Sequence, residues 1–117
     1  MNWEWRLSPS AEEEIEAQIR WYEEDEARGG HGLAMRWLDL LEKALERLSA
    51  SPSRHRPAPE NGRWMPQYKI RQVLFRPWKS RPGWRILFVL DQPASRVMIL
   101  QIRHERRRFL FDPDADV

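Results

Sequence analysis

The sequence predicts an α+β domain in two layers. An antiparallel helical hairpin covers a mostly antiparallel four-stranded sheet, in the order β-α-α-β-β-β. Three observations predict it. A short segment with strict alternation opens the chain, two stretches follow with apolar residues at helical spacing, and three β-rich runs close it with short turns between them.

Each element has a local cause. Asn2–Leu7 alternates, with Trp3, Trp5 and Leu7 on one face and Glu4 and Arg6 on the other, which is the period of a strand. Ser8 then suits a helix cap, and Pro9 suits the first helical position because its missing N–H has no partner there anyway. Glu12, Glu13 and Glu14 fall where the helix dipole favours acids. Ala11, Ile15, Ile19 and Tyr22 form one stripe on a helix of about five turns, which Gly29-Gly30-His31-Gly32 should stop. A second stripe, Leu33, Trp37, Leu40/Leu41, Ala44/Leu45 and Leu48, predicts a helix from about Leu33 to Leu48. The short link between the helices makes them an antiparallel pair.

Residues 49–66 read as a loop, since Pro52, Pro57, Pro59 and Pro66 forbid regular structure and Asn61-Gly62 is a turn dipeptide. At this length such a loop is usually functional or mobile. Residues 67–75 read as a strand. Residues 76–83 form a turn with two prolines. Residues 84–90 are almost wholly apolar, as in a central strand covered on both faces, and residues 96–103 form the last strand. A single domain over residues 1–111 and an acidic, disordered tail over 112–117 are expected.

Composition limits the function classes. The chain has 117 residues and no cysteine, which excludes a disulfide framework, thiolate-held zinc and a thiol nucleophile, and suits a reducing cytoplasm. No apolar run is long enough to span a membrane, and the first residues do not resemble a signal peptide. The net charge of +2 conceals an uneven distribution. Residues 1–50 carry 6 basic and 12 acidic side chains, whereas residues 51–111 carry 14 basic and 3 acidic, a net of +11. Such a patch suits a polyanion or an acidic partner.

The basic residues cluster near strand ends. Lys69 and Arg71 share a face of their strand, Arg85 opens the central strand, and Arg76, Lys79 and Arg81 line the turn before it. Arg103, His104, Arg106 and Arg107 end the last strand. Arginine forks suit phosphate contact, and Trp64, Tyr68, Trp78 and Trp84 could stack on bases. His104 sits among positive charges that disfavour the imidazolium, which would leave a neutral imidazole near pH 7. His31, His55 and His104 lie far apart without ligand spacing, so no metal is implied.

Several segments in order resemble the RelE/ParE superfamily of toxins from bacterial type II toxin–antitoxin modules, over about residues 3–110. They are Leu7-Ser8-Pro9-Ser10-Ala11, then Ser51-Pro52 and Arg56-Pro57 after the second helix, then Trp84-Arg85-Ile86-Leu87-Phe88, similar to the family's Tyr-Arg-Ile-Leu-Tyr strand. Val97 to Arg107 resembles its closing strand with a His-x-Arg-Arg ending. The resemblance implies a cytoplasmic, growth-inhibiting toxin that needs no cofactor and is neutralised by a cognate antitoxin. Its target would be an essential nucleic-acid machine: DNA gyrase in the ParE-like branch, where the toxin is not an enzyme, or mRNA in the ribosome in the RelE-like branch, an endoribonuclease. For cleavage, Lys69, Arg71 and Arg85 match the positions of cations that stabilise the phosphorane, and His104 could act as acid or base. Arg76, Lys79, Arg81, Arg103, Arg106 and Arg107 would contact nucleic acid or target. The chain ends in Phe109-Leu110-Phe111 where several RelE-like nucleases carry a tyrosine, and its acidic hairpin and His-x-Arg-Arg ending look more like ParE. The alternatives are a non-toxic protein-binding module or a basic RNA-binding domain.

Overall fold

The computed structural model describes residues 3–113. Asn2 at the start of the expected first strand, and residues 114–117 of the expected tail, lie outside the described residues. The elements are β1 (Glu4–Leu7), α1 (Pro9–Glu23), α2 (Gly30–Ala50), β2 (Arg71–Phe75), β3 (Trp84–Asp91) and β4 (Arg96–His104), with short 3₁₀ turns at Glu26–Arg28 and Pro52–Arg54. This is the α+β order expected. The sheet runs β1-β4-β3-β2, antiparallel except that β1 lies parallel to β4.

Ser8 joins the two layers. Its hydroxyl accepts the Ala11 N–H at 3.1 Å, capping α1, and donates to the Leu100 carbonyl at 2.7 Å. Leu100 lies where the β3–β4 register slips, since Leu87 pairs with Gln101 and Phe88 with Ile99. One turn further along α1, the Glu14 carboxylate accepts the Ile102 N–H at 2.8 Å. The irregular stretch of β4 is therefore held by two polar side chains, the N-cap Ser8 and Glu14 of α1.

The helices differ from their expected ends for local reasons. α1 stops at Glu23, short of the glycines, because Asp25 accepts the Ala27 N–H and starts a separate 3₁₀ turn. α2 begins at Gly30, three residues early. Gly29 takes φ +115°, and a Cβ there would meet Leu33, so only glycine makes this turn without strain. Gly30, His31 and Gly32 then occupy the first helical turn, and His31 pairs with Glu23 of α1 at 2.6 Å.

Between the layers, Trp37 of α2 is fully buried. Its ring meets Trp84 at 5.3 Å and Phe75 at 5.9 Å, both edge-on. Ala11, Ile15, Leu41, Leu45, Leu48, Ile86, Phe88, Val97 and Ile99 complete this core. Most of these are the stripe residues of the two helices and the alternate residues of β3 and β4.

The opposite face of the sheet is also covered. Ala58, Ile70 and Leu87 form a second cluster, joined by Trp64, Met65, Val89, Leu100 and Leu110. The proline-rich segment is thus the roof of this face rather than a free loop, which is why residues 67–70 are not part of β2. The segment is tied down where Ala58 N–H reaches the Ile70 carbonyl, Gln72 N–H reaches the Arg56 carbonyl, and Ile70 N–H reaches the Asn61 side chain.

Under that roof lies a buried ion pair. Arg85 donates to both carboxylate oxygens of Glu60, at 2.9 and 2.7 Å, and to Gln72 at 3.0 Å. Glu60 also accepts the Leu110 N–H at 3.1 Å, which latches the C-terminal segment, and Phe109 lies over the Arg85 guanidinium at 5.1 Å. Burial by itself raises the Glu60 pKa, but the Arg85 hydrogen bonds, with the Leu110 N–H, outweigh it and hold the carboxyl below its ordinary value.

Removing one partner of such a pair leaves an uncompensated buried charge. Glu60→Ala should lower the unfolding free energy by about 3–5 kcal/mol in a urea titration, and adding Arg85→Met should recover part of that loss. Because the folded pKa of Glu60 lies below the unfolded one, its stabilisation is complete above the ordinary glutamate range. It is lost as pH falls through the lowered value. Glu60→Gln should therefore flatten the acid limb of the stability profile.

Candidate functional site

A cleft of about 1020 Å³ opens between α1, the start of α2, the β2–β3 turn and the ends of β3 and β4. Its walls include Trp21, Tyr22, Leu33, Trp78, Trp84 and Ile102, and its polar groups are Glu14, Gln18, Arg81, His104 and Arg107. The alternation of each strand decides who faces it. Trp84 and His104 are partners across β3–β4 and both turn towards the helices, their rings edge-on at 5.4 Å. Trp78 is carried in by the turn and donates its indole N–H to the Tyr22 hydroxyl at 3.0 Å.

The turn is braced. Arg76 forks onto Glu105 with bonds of 2.6 and 2.9 Å, and Glu105 also accepts the Gly83 N–H. Gly83 packs so tightly that a Cβ would strike the Phe75 carbonyl oxygen. The Arg76 hydrogen bonds pull the Glu105 carboxyl down to about 2. Lys79 and Arg81 project from this braced turn into solvent.

His104 is half-buried. Burial and the neighbouring Arg106 lower its pKa, only partly offset by Glu105. Its Nδ1 lies 3.2 Å from the Arg106 backbone N–H and accepts it, so in the neutral ring Nε2 carries the proton. That arrangement makes His104 a hydrogen-bond donor through Nε2 rather than a base. Arg107 lies 3.6 Å from Glu14 across the cleft.

The other candidate residues lie apart. Arg85 and Arg103 are cross-strand partners on the opposite face, both buried; Arg85 is held by Glu60, and Arg103 donates to the Arg108 carbonyl at 2.9 Å. Arg71 pairs with Phe88 and His104 with Trp84, four residues apart on β3, which is roughly 13 Å along the strand. Arg71 spends its guanidinium on the carbonyls of Ser53 and His55. Lys69 is exposed just before β2, and Arg106 is exposed just after β4. The sheet thus brings His104, Arg81 and Arg107 together and separates them from Lys69, Arg71, Arg85 and Arg103. Of the aromatic residues, Trp84 is buried, Trp64 packs in the second cluster, and Tyr68 is exposed.

Three acids matter that charge counting overlooks: Glu60, Glu105 and Glu14. Glu60 and Glu105 are two of only three acids within residues 51–111, and rarity in a basic segment was the available signal. Among the described residues, no group of three His, Asp or Glu side chains is placed to hold a metal ion, and no helix is long and apolar enough to cross a membrane.

Two NMR titrations test this electrostatic arrangement. The His104 imidazole should titrate below the ordinary histidine value, with Nδ1 unprotonated in the neutral form. Arg76→Gln should return the Glu105 titration from about 2 towards the ordinary glutamate range.

No curated protein matches the chain. Residues 5–109 match the sequence model of the family described as the ParE toxin of the type II toxin-antitoxin system parDE, and the chain belongs to that family.

Proposed function

We propose that this toxin arrests growth by binding DNA gyrase rather than by cutting mRNA, that it works in the cytoplasm, and that a cognate antitoxin silences it. The carrying observation is the Arg85–Glu60 pair. A phosphorane-stabilising cation must face its substrate, whereas the Arg85 guanidinium is neutralised by a carboxylate beneath the proline-rich roof. Lys69, Arg71 and His104 do not converge on one phosphate either, and His104 is held as a donor. Exposed Arg81 and Arg107 on the walls of an aromatic cleft, with exposed Lys79 and Arg106 close by in the chain, suit recognition of a large partner, where arginine and aromatic anchors contribute most.

A second reading keeps ribosome-dependent mRNA cleavage, because His104, Arg81 and Arg107 share the cleft. It would need a base from outside this group.

Induced expression of the chain alone should stop growth, and co-expression of its antitoxin should restore it. The purified chain should inhibit DNA supercoiling by gyrase, and mapping of mRNA 5′ ends after induction should show no new cleavage sites. New 5′ ends with unaffected gyrase would overturn the binding reading. Arg81→Glu should weaken gyrase inhibition at least tenfold with an unchanged circular dichroism spectrum, whereas Arg85→Met should act through stability.

A further inference from the structure

A second basic recess lies beside the edge strand β2 at the C-terminal end of α2, whereas the cleft takes the start of α2. Arg47 reaches it from the last turn of α2, Arg54 from the 3₁₀ turn that follows, His55 from the residue after that turn, and Val73 and Leu74 from β2; together they bound a space of about 340 Å³. No carboxylate lines it. Among the described residues, neither Arg47 nor Arg54 has an ion-pair partner.

The recess is preorganised. Arg71 donates to the Ser53 carbonyl at 3.2 Å and to the His55 carbonyl at 2.7 Å, which pins the turn that carries Arg54 and His55. The His55 ring stands edge-on to Phe88 at 5.9 Å, so its orientation is set by the core. The charged groups that act on it are cationic, Arg54 in the turn and Arg71 on β2; Arg47 of α2 lines the same recess, and Phe88 of β3 is neutral. Burial, then Arg54 and Arg71, lower the His55 pKa. Arg54 and Arg71 beside one fixed imidazole, and Arg47 on the wall of the same recess, with no acid among them, form a standing positive potential that an oxyanion would relieve. Two arginine forks match phosphate oxygens, and the half-exposed Leu74 beside Val73 offers an apolar strip suited to the carbons of a sugar.

We infer that Arg47, Arg54 and His55 form a phosphate-binding site, taking a phosphate group carried on a sugar, either in a nucleic-acid backbone or in a free nucleotide. The inference does not depend on gyrase being the target, since it is read by direct binding. It would place a nucleic-acid contact at the end of α2 and the β2 edge, separate from the cleft at the start of α2, so that one molecule could touch protein at one site and a phosphate backbone at the other.

The test is NMR on the full chain, following the His55 ring and the guanidinium signals of Arg47 and Arg54 during separate titrations with inorganic phosphate, a mononucleotide and a short DNA duplex. Phosphate should raise the His55 titration midpoint, because a bound anion offsets the arginine charges, and Arg47→Gln and Arg54→Gln should each reduce that rise. Both residues are exposed, so the variants should keep the wild-type circular dichroism spectrum. If duplex DNA moves the same signals, each variant should bind it several-fold more weakly, with the slope of log affinity against log salt smaller by about 1. That result supports the site with a backbone phosphate as its ligand. A response to phosphate and mononucleotide without one to DNA supports the site with a free nucleotide. Unmoved His55 and arginine signals with all three probes, or responses unchanged in both variants, overturn it.

Discussion

The pairing of Glu60 with Arg85 is the constraint on which the outer half of the structure depends. An arginine near the start of a central strand, turned away from the helices, cannot be covered by apolar groups alone, because an unpaired buried guanidinium is too costly. Glu60 solves this from a segment that has no regular structure of its own. By accepting both Arg85 bonds and the Leu110 N–H, it fixes the proline-rich roof and the C-terminal segment at one point. Trp64, Met65 and Leu110 then close over Leu87 and Ile70, and the sheet gains a second covered face. A two-layer prediction becomes a sheet protected on both sides.

The same constraint divides the basic half of the chain into groups with different roles. Arg85 and Arg103 lie inside. Arg71 and Arg76 are exposed or half-exposed but act as braces, holding the turn after α2 and the turn before β3. Lys79, Arg81 and Arg106 are presented outward near the cleft, and Arg47 and Arg54 beside the end of α2 and β2. The 14 basic side chains of residues 51–111 therefore overstate what a partner meets at any one place, since they are spread over separate sites and Arg85 and Arg76 are neutralised by Glu60 and Glu105. The sheet is the divider: side chains on consecutive residues of β3 leave on opposite faces, so Arg85 and the His104 partner Trp84 are neighbours in sequence and strangers in space.

Much of the fold was legible because it is encoded by short-range periodicity. The alternation from Trp3 to Leu7, the Ser8-Pro9 helix start, the stripes of the two helices and the apolar run from Trp84 each act within a few residues. The aromatic centre around Trp37 follows from those stripes once the layers meet. The early start of α2 was less legible, because glycine is a poor helix former in general yet acceptable in a first turn behind a left-handed Gly29. Of the site, the cleft residues His104, Arg81 and Arg107 were legible as members of one converging basic cluster, but their separation from Lys69, Arg71, Arg85 and Arg103 was not. Glu60 was hidden because nothing local marks a glutamate in a proline-rich loop as the partner of an arginine 25 residues later.

By itself, the sequence determined the order and type of the elements, the inward faces of the helices, and the membership of the toxin family, since these are written in spacing and in ordered motifs. Only the tertiary structure decided the parallel addition of β1 to β4, the register slip at Leu100 held by Ser8 and Glu14, and the sorting of arginines into buried, bracing and outward-facing. The physical reason is range. Periodicity acts over one turn of helix or two residues of strand, whereas the fate of a charge depends on which distant carboxylate, carbonyl or solvent the fold sets beside it.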